Sequence, residues 1–186
     1  VYPGFINRAT PVPEMVLGLI TPAFATSASL HATVAPEATF GVMDTLYGHV
    51  TIRATEPGDA DFLLEQSTQL LAAMYPPEAC HLVSADALTG PGTVLLGAFL
   101  GESAVGIIGL LSHSDGTKGE IKRLFVSPAH RGAGIATALM DQVESTAHEW
   151  GLTLLQLETG ILQPESISLY ARLGYAPTRP PGTYPQ

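Results

Sequence analysis

KGEIKRLFVSPAHRGAGIA, residues 118–136, is the stretch that decides how this chain is read. The window from Lys118 to Arg131 holds four of the eight Lys and Arg in the chain, and only one of its 17 Asp and Glu, Glu120. The 186-residue chain as a whole has a formal net charge of −9. A cationic island in an acidic protein calls for a reason. An apolar, strand-like run from Ile121 to Val126 meets Ser127-Pro128. A turn with Gly132 and Gly134 follows, and then a long amphipathic pattern begins. Such a turn leaves backbone N–H groups open at a helix N-terminus, and with the helix dipole they form an anion site. Arg131 adds a fixed positive charge beside it.

Outward from this stretch, the periodicity predicts alternating strands and helices. His49–Ala54 alternates and reads as a strand. Thr55-Glu56-Pro57-Gly58-Asp59 is a turn with an N-cap signal. A helix then runs from Asp61 to Tyr75, with Phe62, Leu63, Gln66, Leu70 and Met74 as its apolar stripe. Tyr75-Pro76-Pro77 ends it. A short helix is expected near Asp86–Leu88. Thr93–Leu100 and Ala104–Ser112 read as a hairpin around Gly101-Glu102, and Gly119–Val126 as the next strand. Gly134–Trp150 is a helix with Ile135, Leu139, Val143 and Ala147 on one face, stopped by Gly151. Leu152–Glu158 is a strand. Pro164–Leu173 is a helix with Pro in its first turn and Gly174 after it.

This order and two motifs resemble the GNAT superfamily of N-acetyltransferases. Arg131-Gly132-Ala133-Gly134-Ile135-Ala136 is similar to the family's Arg/Gln-x-x-Gly-x-Gly/Ala signature. Leu169-Tyr170-Ala171-Arg172-Leu173-Gly174-Tyr175 is similar to its C-terminal Leu-Tyr-x-x-x-Gly-Phe/Tyr motif. The resemblance covers roughly residues 49–176. It implies an α/β GNAT fold, a mixed splayed β-sheet flanked by helices, over residues 48–186. Residues 1–47 stand outside it as an atypical, Pro/Ala/Thr-rich N-terminal extension with strand candidates at Met15–Ile20 and Phe40–Met43. The family pattern also asks for one or two strands after the last helix, whereas Ala176–Gln186 is Pro-rich. Residues 14–21 are therefore expected to fill or cover the vacant sheet edge.

The resemblance implies acetyl-CoA as cofactor. The main chains of Leu124, Phe125 and Val126 would hold its pantetheine arm, and Arg131 to Ala136 its pyrophosphate. Gln163 and Ser166 stand where family members often carry Asn and Ala against the cofactor. Tyr170 occupies the place of the general acid for the departing thiolate, and a phenol of ordinary pKa near 10 suits that task. Glu120 matches the place where some members carry a general base. It also has Lys122 as a natural ion-pair partner, since strand alternation puts Glu120, Lys122 and Leu124 on one face and Arg123 on the other. Glu158, at the end of the next strand, is a second carboxylate candidate. Tyr75, Glu78 and His81 fall in the segment that lines the acceptor pocket in this fold.

Composition bounds the alternatives. A pI near 4.9 argues against nucleic acid as a partner. The lone Cys80 rules out an intramolecular disulfide. The six His are scattered without metal-ligand spacing, so no metal is expected. No apolar run has the length to span a bilayer. Residues 15–25 only faintly resemble a signal peptide, because their charged n-region is poor. A cytoplasmic protein is expected. The leading reading is an acetyl-CoA-dependent N-acetyltransferase acting on a small-molecule or amino-acid-like amine by direct attack in a ternary complex. Protein or peptide N-acetylation and a non-catalytic acyl-CoA-binding interaction domain stand beside it, and a homodimer stays open. A generic nucleotide-binding domain is weaker, because no Walker lysine follows the glycines.

Overall fold

Two runs with almost no charge, Val94–Leu100 and Val105–Leu110, form the centre of the molecule. Strands buried on both faces read as continuous apolar runs rather than as alternating ones. The computed structural model describes residues 4–9, 39–75, 83–84 and 86–178. Its strands are β1 (Gly4–Ala9), β2 (Thr39–Thr45), β3 (Gly48–Ala54), β4 (Thr93–Leu100), β5 (Ser103–Ser112), β6 (Lys118–Val126), β7 (Leu154–Thr159) and β8 (Ala176–Thr178). Its helices are α1 (Pro57–Met74), α2 (Ile135–Glu149) and α3 (Pro164–Arg172), with short 3-10 turns at Asp86–Leu88 and Pro128–His130. The strands form one mixed sheet in the order β2-β3-β4-β5-β6-β7-β1-β8. Every neighbouring pair is antiparallel except β6 and β7, which are parallel.

A helix covers each face of the sheet. On one side Ile135, Leu139, Met140, Val143 and Ala147 of α2 pack on Val94, Leu96, Ala98, Ile108 and Leu110. The four-residue spacing read from the sequence is this buried stripe. Burying a side chain such as Leu139 stabilises the fold by about 1.5–3 kcal/mol. On the other side Ala60, Leu63 and Leu64 of α1 pack on Leu95, Ile107 and Phe125.

Helix α1 departs from expectation twice. It starts at Pro57, with Glu56 as N-cap, and not at Asp61. Its buried face is Ala60, Leu63, Leu64 and Ser67, while Phe62 is 67% exposed. The small side chains of Ala60 and Ser67 suit a helix lying close on a sheet, and a bulky phenylalanine does not favour that approach.

One end of the sheet also differs from the sequence reading. The Pro-rich tail contributes a strand after all, the three-residue β8. Residues 14–21 lie outside the described residues. The place beside β7 belongs to Gly4–Ala9, which pairs with β7 on one side and β8 on the other. The opposite end agrees with the sequence reading: β2, beyond β3, contains the strand candidate Phe40–Met43.

Candidate active site

The site begins where two parallel strands part. β6 and β7 pair only from Lys118↔Leu154 to Ile121↔Leu157. Beyond Ile121, β6 continues along β5, with Ile107↔Phe125 and Gly106↔Val126 in register. Its other edge, from Lys122 to Val126, is released from β7. Main-chain groups on such an edge remain available to an extended ligand.

A β-bulge lies at the fork. Gly109 faces Lys122 and Ile107 faces Phe125, so Ile108 alone stands opposite both Arg123 and Leu124. Arg123 has φ 59°, the one positive φ of a non-glycine residue among the described residues. That conformation costs about 1–2 kcal/mol for a residue with a side chain. The extra residue also resets the faces of β6. Ile121 and Val126 are five positions apart, yet both join the core under α2. Arg123 turns onto the α1 side, which corrects the alternation read from sequence. Its Nη1 and Nη2 donate to Thr68 Oγ1, and Nη2 also donates to Leu64 O. Partial burial lowers the pKa of its guanidinium from the ordinary arginine value. An arginine keeps its charge at neutral pH nonetheless.

The cleft opened by the fork is walled by α1, β6, β7 and α3. Ser67, Leu70, Leu71 and Tyr75 line it from α1; Lys122, Leu124 and Phe125 from β6; Glu158 and Thr159 from β7; and Gln163, Ser166 and Tyr170 from the last helix and its entry. Tyr170 is almost completely buried, and desolvation pushes its phenol above the usual value, so the group stays a neutral O–H donor. Tyr75 crosses from the end of α1 to the β7–α3 connection, where its phenolic oxygen accepts from Leu162 N–H at 2.9 Å. It fits there because residue 160 is glycine. A Cβ at Gly160 would collide with the Tyr75 ring and its oxygen. Gln163 braces the same connection, its Oε1 accepting from Gly160 N–H at 3.3 Å and from Thr159 Oγ1 at 3.4 Å.

Beyond β6 the chain turns at Pro128–His130 and enters α2. Gly132 (φ 77°) and Gly134 (φ 81°) both occupy the left-handed region, and Gly134 is the N-cap. The turn is braced from beneath: Arg131 Nε donates to Val126 O at 3.1 Å, and its guanidinium stands 5.6 Å from the Phe125 ring centroid. The β2–β3 hairpin reaches the same end of the sheet, with Tyr47 edge-on to His130 at 5.0 Å between ring centroids. These contacts fix the turn, and the open side of Gly132 has no atom within 4 Å of a would-be Cβ.

Of the residues singled out from sequence, the fold brings Leu124, Phe125, Glu158, Gln163, Ser166, Tyr170 and Tyr75 to one cleft. Arg131, Gly132, Ala133, Gly134, Ile135 and Ala136 form the turn beyond it. Val126 is held by Arg131 at the junction. Glu120 sits below the fork, opposite Gln156 in the paired part of the strands. Its Oε1 is 2.7 Å from Lys122 Nζ. Glu78, His81 and Cys80 lie outside the described residues. The sequence reading missed Ser67, Leu70, Leu71, Thr159 and the clamp on Arg123. Gly160, directly after a strand, was the one local signal for the Tyr75 crossing. Among the described residues no group of three His, Cys, Asp or Glu gathers to hold a metal, and no helix is long and apolar enough to cross a membrane.

A mixed sheet splayed between two parallel strands, with a Gly-rich turn into a helix at the mouth, is the α/β arrangement that the sequence resemblance implied. The chain belongs to the Acetyltransferase (GNAT) family, whose model matches residues 61–175. It is 36% identical over 122 residues to the IAA acetyltransferase of Azospirillum brasilense, covering 66% of this chain and 80% of that one. Its fold resembles the GNAT domain of S. lividans PAT, with a TM-score of 0.60, 20% identity, and coverage of 75% and 89% of the two chains. It likewise resembles the fold of a predicted acetyltransferase from Clostridium acetobutylicum solved with acetyl-CoA, with a TM-score of 0.56, 19% identity, and coverage of 73% and 96%. The enzyme is an acyltransferase on these grounds.

Proposed function

We propose that the protein moves an acetyl group from acetyl-CoA to the amine of a small acceptor, by direct attack while both are bound. The observation that carries this reading is the released edge of β6 from Lys122 to Val126, which runs straight to the Gly-rich turn. The donor set fits the cofactor. An extended amide-bearing arm can pair with strand main chain, and a pyrophosphate suits N–H groups at a helix N-terminus with no side chain in the way. Acetyl-CoA supplies the thioester-activated acetyl group. The remaining work falls to this chain. The main chain of Leu124, Phe125 and Val126 orients the arm, and one amide there polarises the carbonyl. Arg131 to Ala136 hold the pyrophosphate, and Gln163 and Ser166 border the arm from the α3 side.

Tyr170 is assigned as the O–H donor to the leaving sulfur: burial keeps its phenol protonated and able to hydrogen-bond the developing thiolate, while making complete proton transfer harder than from an ordinary phenol. For the amine proton, Glu158 lines the cleft, whereas Glu120 sits below the fork in the paired part of the strands. Glu158 is therefore the base we assign, with Glu120 acting through water as the alternative. Tyr75 closes one side of the cleft by its bond to Leu162 N–H, which favours a compact acceptor over an extended peptide. The test is calorimetry with CoA, followed by thiol release from acetyl-CoA across a panel of amines, amino acids and peptides. Binding of CoA with turnover of compact amines is expected. A wild-type protein that does not bind CoA overturns the reading, and turnover of peptides alone overturns the choice of acceptor.

A further inference from the structure

Arg123 takes no part in the chemistry above, yet three hydrogen bonds hold it in a backbone conformation that arginine rarely adopts. Nη1 and Nη2 each reach Thr68 Oγ1 at 3.1 Å, and Nη2 reaches Leu64 O at 3.2 Å. The Thr68 hydroxyl itself donates to Leu64 O at 2.8 Å, so its lone pairs are left to face the guanidinium. The arrangement is a planar fork set against two acceptors on one helical turn, and a lysine cannot reproduce it. The clamp acts at the fork, since the ladder with β7 ends at Ile121 and the bulge follows two residues later. A bulge is one extra residue, and it can be absorbed one position earlier or later along the strand. Each such slip exchanges which N–H groups face β5 and which face the cleft.

We propose that Arg123 is a positioning residue, whose clamp on α1 fixes the register of the bulge and so decides which main-chain groups of Leu124–Val126 face the cleft. The same clamp ties that edge to the helical turn carrying Ser67 and Leu71, two residues of the opposite cleft wall. Arrangement of the cofactor edge and arrangement of the acceptor wall are then one event. The proposal rests on the acetyl-transfer reading, because it specifies the edge used in it.

Three variants test it. Thr68→Val removes the acceptor and leaves Arg123 in place. Arg123→Gly removes the clamp and makes the positive φ easy, so the fold is kept. Arg123→Lys keeps the charge without the fork. The expected result is at least a tenfold weaker Kd for CoA and at least a tenfold lower kcat in Thr68→Val and Arg123→Gly, with circular dichroism unchanged. Arg123→Lys should not rescue either. KM for the acceptor should rise as well, since the wall moves with the edge. Wild-type Kd and kcat in a folded Thr68→Val or Arg123→Gly overturn the proposal. Losses that only track the unfolded fraction, and vanish on cooling, overturn it too. Should Thr68→Val not fold, Arg123→Gly gives the answer alone. A wild-type enzyme that itself fails to bind CoA fells the acetyl-transfer reading, which is a different result from variants that bind as wild type does.

Discussion

Tyr170 shows how much a single side chain reveals before and after folding. The motif around it was legible from Leu169 to Tyr175. Its burial was not, because depth depends on α3 packing over the sheet. Burial raises the phenol pKa and so links Tyr170 to stability. The folded-state value lies above the unfolded one, near 10, so its contribution is complete below about pH 10 and is lost as pH rises beyond that. Wild type should therefore lose stability in alkaline denaturant titrations more steeply than Tyr170→Phe, by up to about 1.4 kcal/mol per pH unit for this one proton. Equal slopes would mean the phenol is not held neutral by its surroundings. In the steady state Tyr170→Phe should lower kcat by roughly 10- to 1000-fold with little change in KM. The carboxylates divide in the same way. Glu158→Gln should lower kcat by about 100-fold or more and flatten the acidic limb of the pH–rate profile, while Glu120→Gln should cost less. The reverse ranking would return the base to Glu120. That ranking was closed to sequence reasoning, because strand spacing says which residues share a face and not where the ladder stops.

Among the elements, the strands β4 and β5 and the helices α2 and α3 were legible because their patterns meet no competing reading. Glycine or proline also punctuates them, at Gly101, Gly151, Pro164 and Gly174. The bulge in β6 was illegible for a physical reason: a left-handed arginine has no local signature, and its support lies 55 residues away at Thr68. The stripe of α1 was misread because Phe62 carries more hydrophobicity than the small residues that let the helix approach. The turn into α2 was readable from its two glycines, and it yields a sharp expectation. Gly134→Val places a branched side chain at φ 81°, with a Cβ 3.5 Å from Met43 Cε. It should weaken CoA at least tenfold by calorimetry while α2 remains helical. Unchanged affinity would remove the turn from the cofactor site. At the other end of the cleft, Gly160→Ala should expel Tyr75 and raise KM for the acceptor more than KM for acetyl-CoA. Equal changes in the two would assign Tyr75 to the cofactor.

For the molecule as a whole, one end of the sheet is completed by a strand from the opposite end of the described chain, β1, inserted between β7 and β8. Removing residues 1–9 deletes β1 and takes both of its ladders with it, leaving β7 and β8 with unpaired edges. The truncated protein should associate, with a larger hydrodynamic radius by size-exclusion chromatography and a lower Tm. A monomer of unchanged Tm would mean that β7 and β8 pair directly. The placement of β1 has a further consequence in time. Ala9 pairs with Leu154 and Gly4 with Thr159, so the partners are 145 to 155 residues apart along the chain. At about 5–20 residues per second on the ribosome, β1 waits on the order of ten seconds or more for its partner to be made. Contacts of such separation are also the slow ones in refolding, because a long loop must close before they form. During that wait the hairpins and α1 can already be folding, while β1 stands as an edge in search of a ladder. In a crowded polysome the nearest ready partner is the same strand or its complement on a neighbouring nascent chain. This end of the sheet is therefore where exchange between copies should arise, and slowing translation downstream of β1 should increase it.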